Sequence, residues 1–98
     1  MEITKTRNGD DLTIAVKGRL DTTTSPQLEE ELEPELGKVK TITFDFADLD
    51  YISSAGLRIL LQTAQAMDDM SNMTVKNVNE DINDIFEVTG FTEILNIE

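Results

Sequence analysis

Apolar and polar positions alternate with a period of two over Leu12 to Lys17, where Leu12, Ile14 and Val16 interleave with Thr13, Ala15 and Lys17. They alternate again over Thr41 to Phe46, where Ile42, Phe44 and Phe46 interleave with Thr41, Thr43 and Asp45. Successive side chains of a strand point to opposite faces, so both stretches predict β-strands with one buried face. Ile3 to Arg7 is a similar run, and Asn8 Gly9, followed by Asp10 and Asp11, separates it from the Leu12 strand. Asn-Gly between two such runs predicts an opening β-hairpin. Gly18 is expected to end the second strand, and Met73 to Val78 predicts a fourth.

Between these runs the period lengthens. Leu28, Leu32 and Leu36 recur every four residues, predicting a helix with Thr24 or Ser25 as N-cap and Pro26 in its first turn. Glu29, Glu30, Glu31, Glu33 and Glu35 read as its solvated face. Pro34 would clash with the preceding turn at a cost of about 3 kcal/mol, so a kink or an early stop is expected there. Ala47 to Ile52 reads as a loop. Leu57, Leu60, Leu61, Ala64 and Met67 then recur at helical spacing, predicting a helix that starts near Ser53 or Ser54. Asn79 is placed to cap a third helix, with Glu80 and Asp81 in its first turn, Ile82, Ile85 and Phe86 on its buried face and Gly90 at its stop. The tail Phe91 to Glu98 is expected to dock as one helical turn and a short extended end. The order β-β-α-β-α-β-α predicts an α/β fold over residues 1–98 as a single domain. Its mixed β-sheet of about four strands opens with a hairpin and carries three main helices plus a short C-terminal helical turn.

Composition narrows the chemistry. A chain of 98 residues supports one small core and leaves little room for a deep substrate cavity, so function is sought at the surface. Eight Lys and Arg against 20 Asp and Glu give a net charge of −12, which repels nucleic-acid backbones and anionic lipid. Neither Cys nor His is present. Disulfides, thiolate nucleophiles, Cys/His zinc sites and imidazole-assisted catalysis are therefore excluded. Met1 to Lys5 lacks the basic start and apolar core of a signal peptide, and apolar runs such as Ile59 Leu60 Leu61 are far too short to span a bilayer. A cytoplasmic protein without metal or cofactor is expected. Asp48 and Asp50 could serve as an acid and base pair or hold Mg²⁺, but most such Asp pairs in a strand-to-helix loop are turn residues. They lack the continuation of a calcium loop, so no catalytic residue is assigned. A response-regulator receiver domain needs five βα units, more than this chain holds, and the alternation through Phe46 is expected to place Asp45 inside the third strand rather than at its end.

The most informative segment is Tyr51 Ile52 Ser53 Ser54 Ala55 Gly56 Leu57 Arg58, where two serines stand at a helix start. One hydroxyl suffices to cap the free N–H groups. The other would face solvent beside Gly56, whose missing side chain would let another molecule approach the backbone. An exposed hydroxyl there is also well placed to carry a phosphate, because the helix N-terminus favours anions. This stretch resembles the signature of the bacterial anti-sigma factor antagonists, the STAS-domain family: an apolar pair, Asp or Ser, Ser, a small residue, then Gly-Leu. Gly18 Arg19 Leu20 Asp21 is similar to the Gly-X-Leu/Ile-Asp element of that family, and Val88 Thr89 Gly90 Phe91 with Ile94 Leu95 is similar to its usual ending. The resemblance implies a non-enzymatic switch. The unphosphorylated protein binds an anti-sigma factor of serine-kinase, ATP-binding fold and frees the sigma factor. Phosphorylation on Ser by that kinase ends the binding, and a serine phosphatase resets it. By position the acceptor falls on Ser54. Ser53, standing where many members carry Asp, is the alternative. The resemblance further implies a partner-facing set of Asp21, Thr22, Ser53, Ser54, Gly56 and Arg58, with Asp21 able to pair with a basic group of the partner or to cap local N–H groups instead. A non-switching STAS subunit of a larger complex, such as a lipid-transport assembly, is the alternative within the same fold.

Overall fold

The computed structural model describes residues 1–67 and 69–98. Strands β1 (Glu2–Asn8) and β2 (Asp11–Leu20) form the expected antiparallel hairpin, with Asn8 opposite Asp11. Gly9 and Asp10 are thus the two turn residues, one position later than Asn-Gly would place them. Gly9 at φ 64° supplies the positive dihedral that the first turn position needs. Helix α1 (Ser25–Leu32) follows, then β3 (Thr41–Asp45), β4 (Leu49–Ile52), α2 (Ser54–Ala66), β5 (Met73–Lys76), α3 (Glu80–Thr89), the single turn α4 (Phe91–Ile94) and β6 (Asn96–Ile97).

The sheet runs β1-β2-β3-β5-β6, all parallel after the hairpin, with β4 pairing β2 off this path. Each crossover steps in the same direction, so right-handed connections place the helices on one face. The burial pattern agrees. Leu12, Ile14, Val16, Ile42, Phe44, Phe46, Met73 and Val75 are buried under the helices, together with Leu28 and Leu32 of α1, Leu57 and Leu60 of α2, and Ile82 and Phe86 of α3. Fully burying such a side chain contributes about 1.5–3 kcal/mol. The other face is polar. Registered pairs set Thr6, Thr13, Thr43, Thr74 and Asn96 in one row across five strands.

Several local expectations hold. Helix α1 has Thr24 at its N-cap position, although the Thr24 side chain makes no capping bond to the helix, and Pro26 in its first turn, and it stops at Leu32 ahead of Pro34. In α3 the Asn79 side chain accepts from the Ile82 N–H at 2.9 Å, and Gly90 ends the helix in a left-handed conformation, φ 80°. The tail forms its helical turn and then a short strand along β5.

Others are corrected. The sheet has six strands, not about four, because β4 lies within the expected loop Ala47 to Ile52 and β6 closes the tail. Gly18 does not end β2. β2 pairs with β3 as far as Ala15 and with β4 from Gly18↔Leu49 onward, and Gly18, at φ 99°, stands at a register shift before Arg19↔Tyr51 and Leu20↔Ile52. The fourth expected strand stops at Lys76, because Asn77 turns left-handed at φ 60°. Ile85 is only half-buried. Glu31 and Glu35 are not simply solvated: Lys5 Nζ lies 3.1 Å from Glu31 and 3.7 Å from Glu35, and Arg7 lies 3.6 Å from Glu35. Lys5 and Arg7 share the helix-side face of β1 with Ile3, which brings them over α1.

Candidate functional site

The switch of β2 from β3 to β4 creates the site. Because Leu20 pairs with Ile52, the two chain segments leaving the sheet at Asp21 and Ser53 start side by side, at the carboxyl ends of parallel strands. The Ser53 N–H donates to the Leu20 carbonyl at 2.9 Å, which adds one more rung between them. Ser53 then sits at the N-cap of α2 in an extended conformation, and its carbonyl accepts the first helical bond from the Leu57 N–H at 3.0 Å.

The two serines differ in a way the sequence left open. Ser53 Oγ is buried and has no hydrogen-bond partner, and no side chain caps α2. The capping role expected of a serine is therefore not realised. Ser54 is exposed. Its hydroxyl stands at a helix N-terminus whose free N–H groups and positive dipole end favour an anion.

Asp21 organises the neighbouring turn. Its Oδ1 accepts from the Thr23 N–H at 3.0 Å, the Thr23 hydroxyl at 2.8 Å and the Thr24 N–H at 3.1 Å, while its backbone carbonyl accepts from the Ser25 N–H and hydroxyl at 2.8 and 2.6 Å. The Thr24 hydroxyl donates to the Arg19 carbonyl at 2.8 Å and accepts from the Asp21 N–H at 2.8 Å. The Thr23 hydroxyl and the Thr24 N–H hold the Asp21 carboxyl below its ordinary pKa. The local-capping expectation for Asp21 is thus realised. The second carboxylate oxygen lies 3.8 Å from Arg19 Nε, and the Arg19 guanidinium stacks over the Tyr51 ring at 4.3 Å.

Gly56 is not open to another molecule. A Cβ there would lie 2.8 Å from both Ile52 Cγ1 and Leu20 Cγ, so the missing side chain admits the chain's own core and lets the first turn of α2 sit directly on the β2 and β4 ends. Arg58 is exposed, one turn after Ser54, and faces a shallow groove of about 260 Å³ between α1 and α2 that Thr22, Pro26, Glu29 and Gln62 also line. The structure therefore gathers Asp21, Thr22, Ser53, Ser54 and Arg58 at one end of the sheet, with Gly56 beneath them. Sequence reading missed the Arg19–Tyr51 pair. Arg19 beside the core residue Leu20 was its one local signal, and the pairing itself needed β4. Asp48 and Asp50 are exposed, and no cluster of three potential metal ligands occurs among the described residues. No helix among the described residues is long and apolar enough to cross a membrane.

A family described as STAS domain matches the chain over residues 2–98. An anti-sigma-B factor antagonist of Staphylococcus epidermidis is 29% identical over 86 residues, covering 86% of this chain and 80% of that protein. Among solved structures, an anti-sigma factor antagonist from Mycobacterium paratuberculosis superposes with a TM-score of 0.89 at 18% identity, covering 98% of this chain and 83% of that one. The Bacillus cell fate determinant SpoIIAA in its phosphorylated form superposes with a TM-score of 0.76 at 17% identity, covering 99% and 91%. At these identities the two structures bear on the fold alone.

Proposed function

The chain belongs to the STAS domain family, and from that premise we propose that it is an anti-sigma factor antagonist switched by phosphorylation of Ser54. Unphosphorylated, it binds an anti-sigma factor of serine-kinase, ATP-binding fold, and the sigma factor is released. The kinase transfers the γ-phosphoryl group of ATP to Ser54 Oγ, the hydroxyl proton leaves and ADP is the other product. A serine phosphatase hydrolyses the ester and restores the binding form. The protein is then a cytoplasmic binding module rather than an enzyme, with Asp21, Thr22, Ser53, Ser54 and Arg58 at the contact and Gly56 supporting it.

The observation that carries this reading is the contrast between the exposed Ser54 and the buried Ser53 Oγ at an uncapped helix N-terminus. A phosphate on Ser54 adds about −1.5 to −2 charge where the helix dipole favours anions by about 0.3–1 kcal/mol, so the fold tolerates it. Release comes from the interface. A desolvated or like-charged phosphate there costs several kcal/mol, and about 1.4 kcal/mol is one factor of ten in affinity.

Incubation with the cognate kinase and ATP should add one phosphate by mass spectrometry, and Ser54→Ala should abolish it. Label that persists in Ser54→Ala and vanishes in Ser53→Ala would move the acceptor to Ser53. Protein isolated from its native cell in a stable assembly and never phosphorylated would instead favour the non-switching subunit.

A further inference from the structure

Beyond Lys76 the chain carries Glu80, Asp81, Asp84, Glu87, Glu93 and Glu98 and no basic residue. Within this acidic stretch α3 buries Ile82 and Phe86 against the core. Two further apolar residues lie off that face. Ile85 is half-buried, and Val88 is 87% exposed, more than any other large apolar side chain among the described residues. With Asp84 and Thr89 they line an open depression of about 230 Å³. Asp81 lies one helical turn before Ile85, and Asp84 one turn before Val88, so two carboxylates border the two apolar side chains. Among the described residues neither carboxylate takes part in a salt bridge.

We infer that this outer face of α3 is a docking surface for a protein segment that presents an apolar side chain flanked by Lys or Arg. The apolar pair supplies the area to be removed from water, and the bordering carboxylates select the flanking charge. A second copy of the chain is disfavoured as the occupant, because each copy carries −12 and two such copies repel one another. An anionic bilayer is repelled by the same acidic border. The surface lies on a different helix from Ser54 and does not depend on the switch proposed above.

The test uses the full, isotope-labelled protein and, as probe, a synthetic amphipathic peptide of Leu and Lys at low salt, with a Ser/Lys peptide of equal charge as comparison. Saturable amide shifts centred on Ile85, Val88 and Thr89 are expected. Val88→Ser and Asp84→Lys should each weaken the binding by about tenfold, while Glu30→Lys, the same charge reversal placed on α1, leaves it within about twofold. Val88 is on the surface, so its variant keeps the parent circular dichroism spectrum. Equal binding of the Ser/Lys peptide, shifts that map away from α3, or an affinity untouched by Val88→Ser would each overturn the inference. Neither kinase nor phosphate enters the experiment, so its outcome is separable from that of the switch.

Discussion

Gly56 leaves no room for a methyl group, because Leu20 and Ile52 already occupy the position a Cβ would take. Gly56→Ala is expected to destabilise the protein by about 1–3 kcal/mol through overpacking, read as a lower urea midpoint at unchanged slope. A midpoint equal to that of the parent would show that the helix start can lift off the sheet freely. Asp21 acts through hydrogen bonds from Thr23 and Thr24, which hold its carboxyl below the ordinary value of 3.8. Asp45 is held low as well, by the Asn77 side chain first and then by the Ala47 N–H and Lys76, against partial burial. A depressed folded-state pKa gives stability that is complete above the unfolded value and is lost as pH falls through the folded one. Thermal midpoints should therefore fall on acidification below about pH 4, and Asp21→Asn should flatten that fall while lowering the midpoint at neutral pH. A variant with the parent's acid profile would remove Asp21 from this account. Ser54→Asp should weaken binding to the anti-sigma factor by about tenfold or more with the circular dichroism spectrum intact. A loss of folded signal would locate the effect in the fold rather than at the interface.

Two elements set where the serines stand. The first is the far half of β2, which pairs with β4 from Gly18 onward, with Gly18 at φ 99° beside the register shift. Gly18→Ala places an L side chain in that strained region and should cost about 1–3 kcal/mol. The loss should be concentrated in the β2–β4 pairing, so hydrogen exchange at the Ser53 amide, which donates to Leu20, should accelerate more than at Phe44 in β3. Uniform acceleration across the sheet would mean that the serine loop is not separately anchored. The second element is α1, tied to the edge strand through Lys5, Arg7, Glu31 and Glu35. Such partly exposed pairs contribute about 0–1 kcal/mol each and weaken with salt. They orient α1 against β1 more than they stabilise the fold. The acidic outer face of α1 thus divides by neighbour: Glu29, Glu30 and Glu33 are exposed while Glu31 and Glu35 cover Lys5 and Arg7.

Across the whole molecule a charge of −12 repels itself. Raising the salt concentration from about 0.01 to 0.3 M contracts the screening length severalfold. The thermal midpoint is expected to rise, because the repulsion among 20 acidic residues outweighs the few ion pairs that salt also weakens. A midpoint that falls would mean that the β1–α1 pairs dominate instead. The alternation along β2 and β3, the proline stop of α1, the Asn79 cap and the Gly90 terminus were all legible in the sequence, since each is settled by residues within about a turn of one another. The serine segment was legible too, as a motif and by its place at a helix start. The strand β4 was not. Its four residues Leu49–Ile52 are buried only at their two ends, so no period-two signal exists, and its partner lies some thirty residues away in β2. From that one unpredicted pairing follow the adjacency of Asp21 and Ser53, the Arg19–Tyr51 stack, the close seat of α2 on Gly56 and the separation of a buried Ser53 hydroxyl from an exposed Ser54. The sequence alone determined the helices and those strands whose alternation is visible, and it singled out the serine segment, because backbone preference and amphipathic period are local. Only the tertiary structure decided which of two neighbouring serines faces the solvent, because that depends on contacts between segments far apart along the chain.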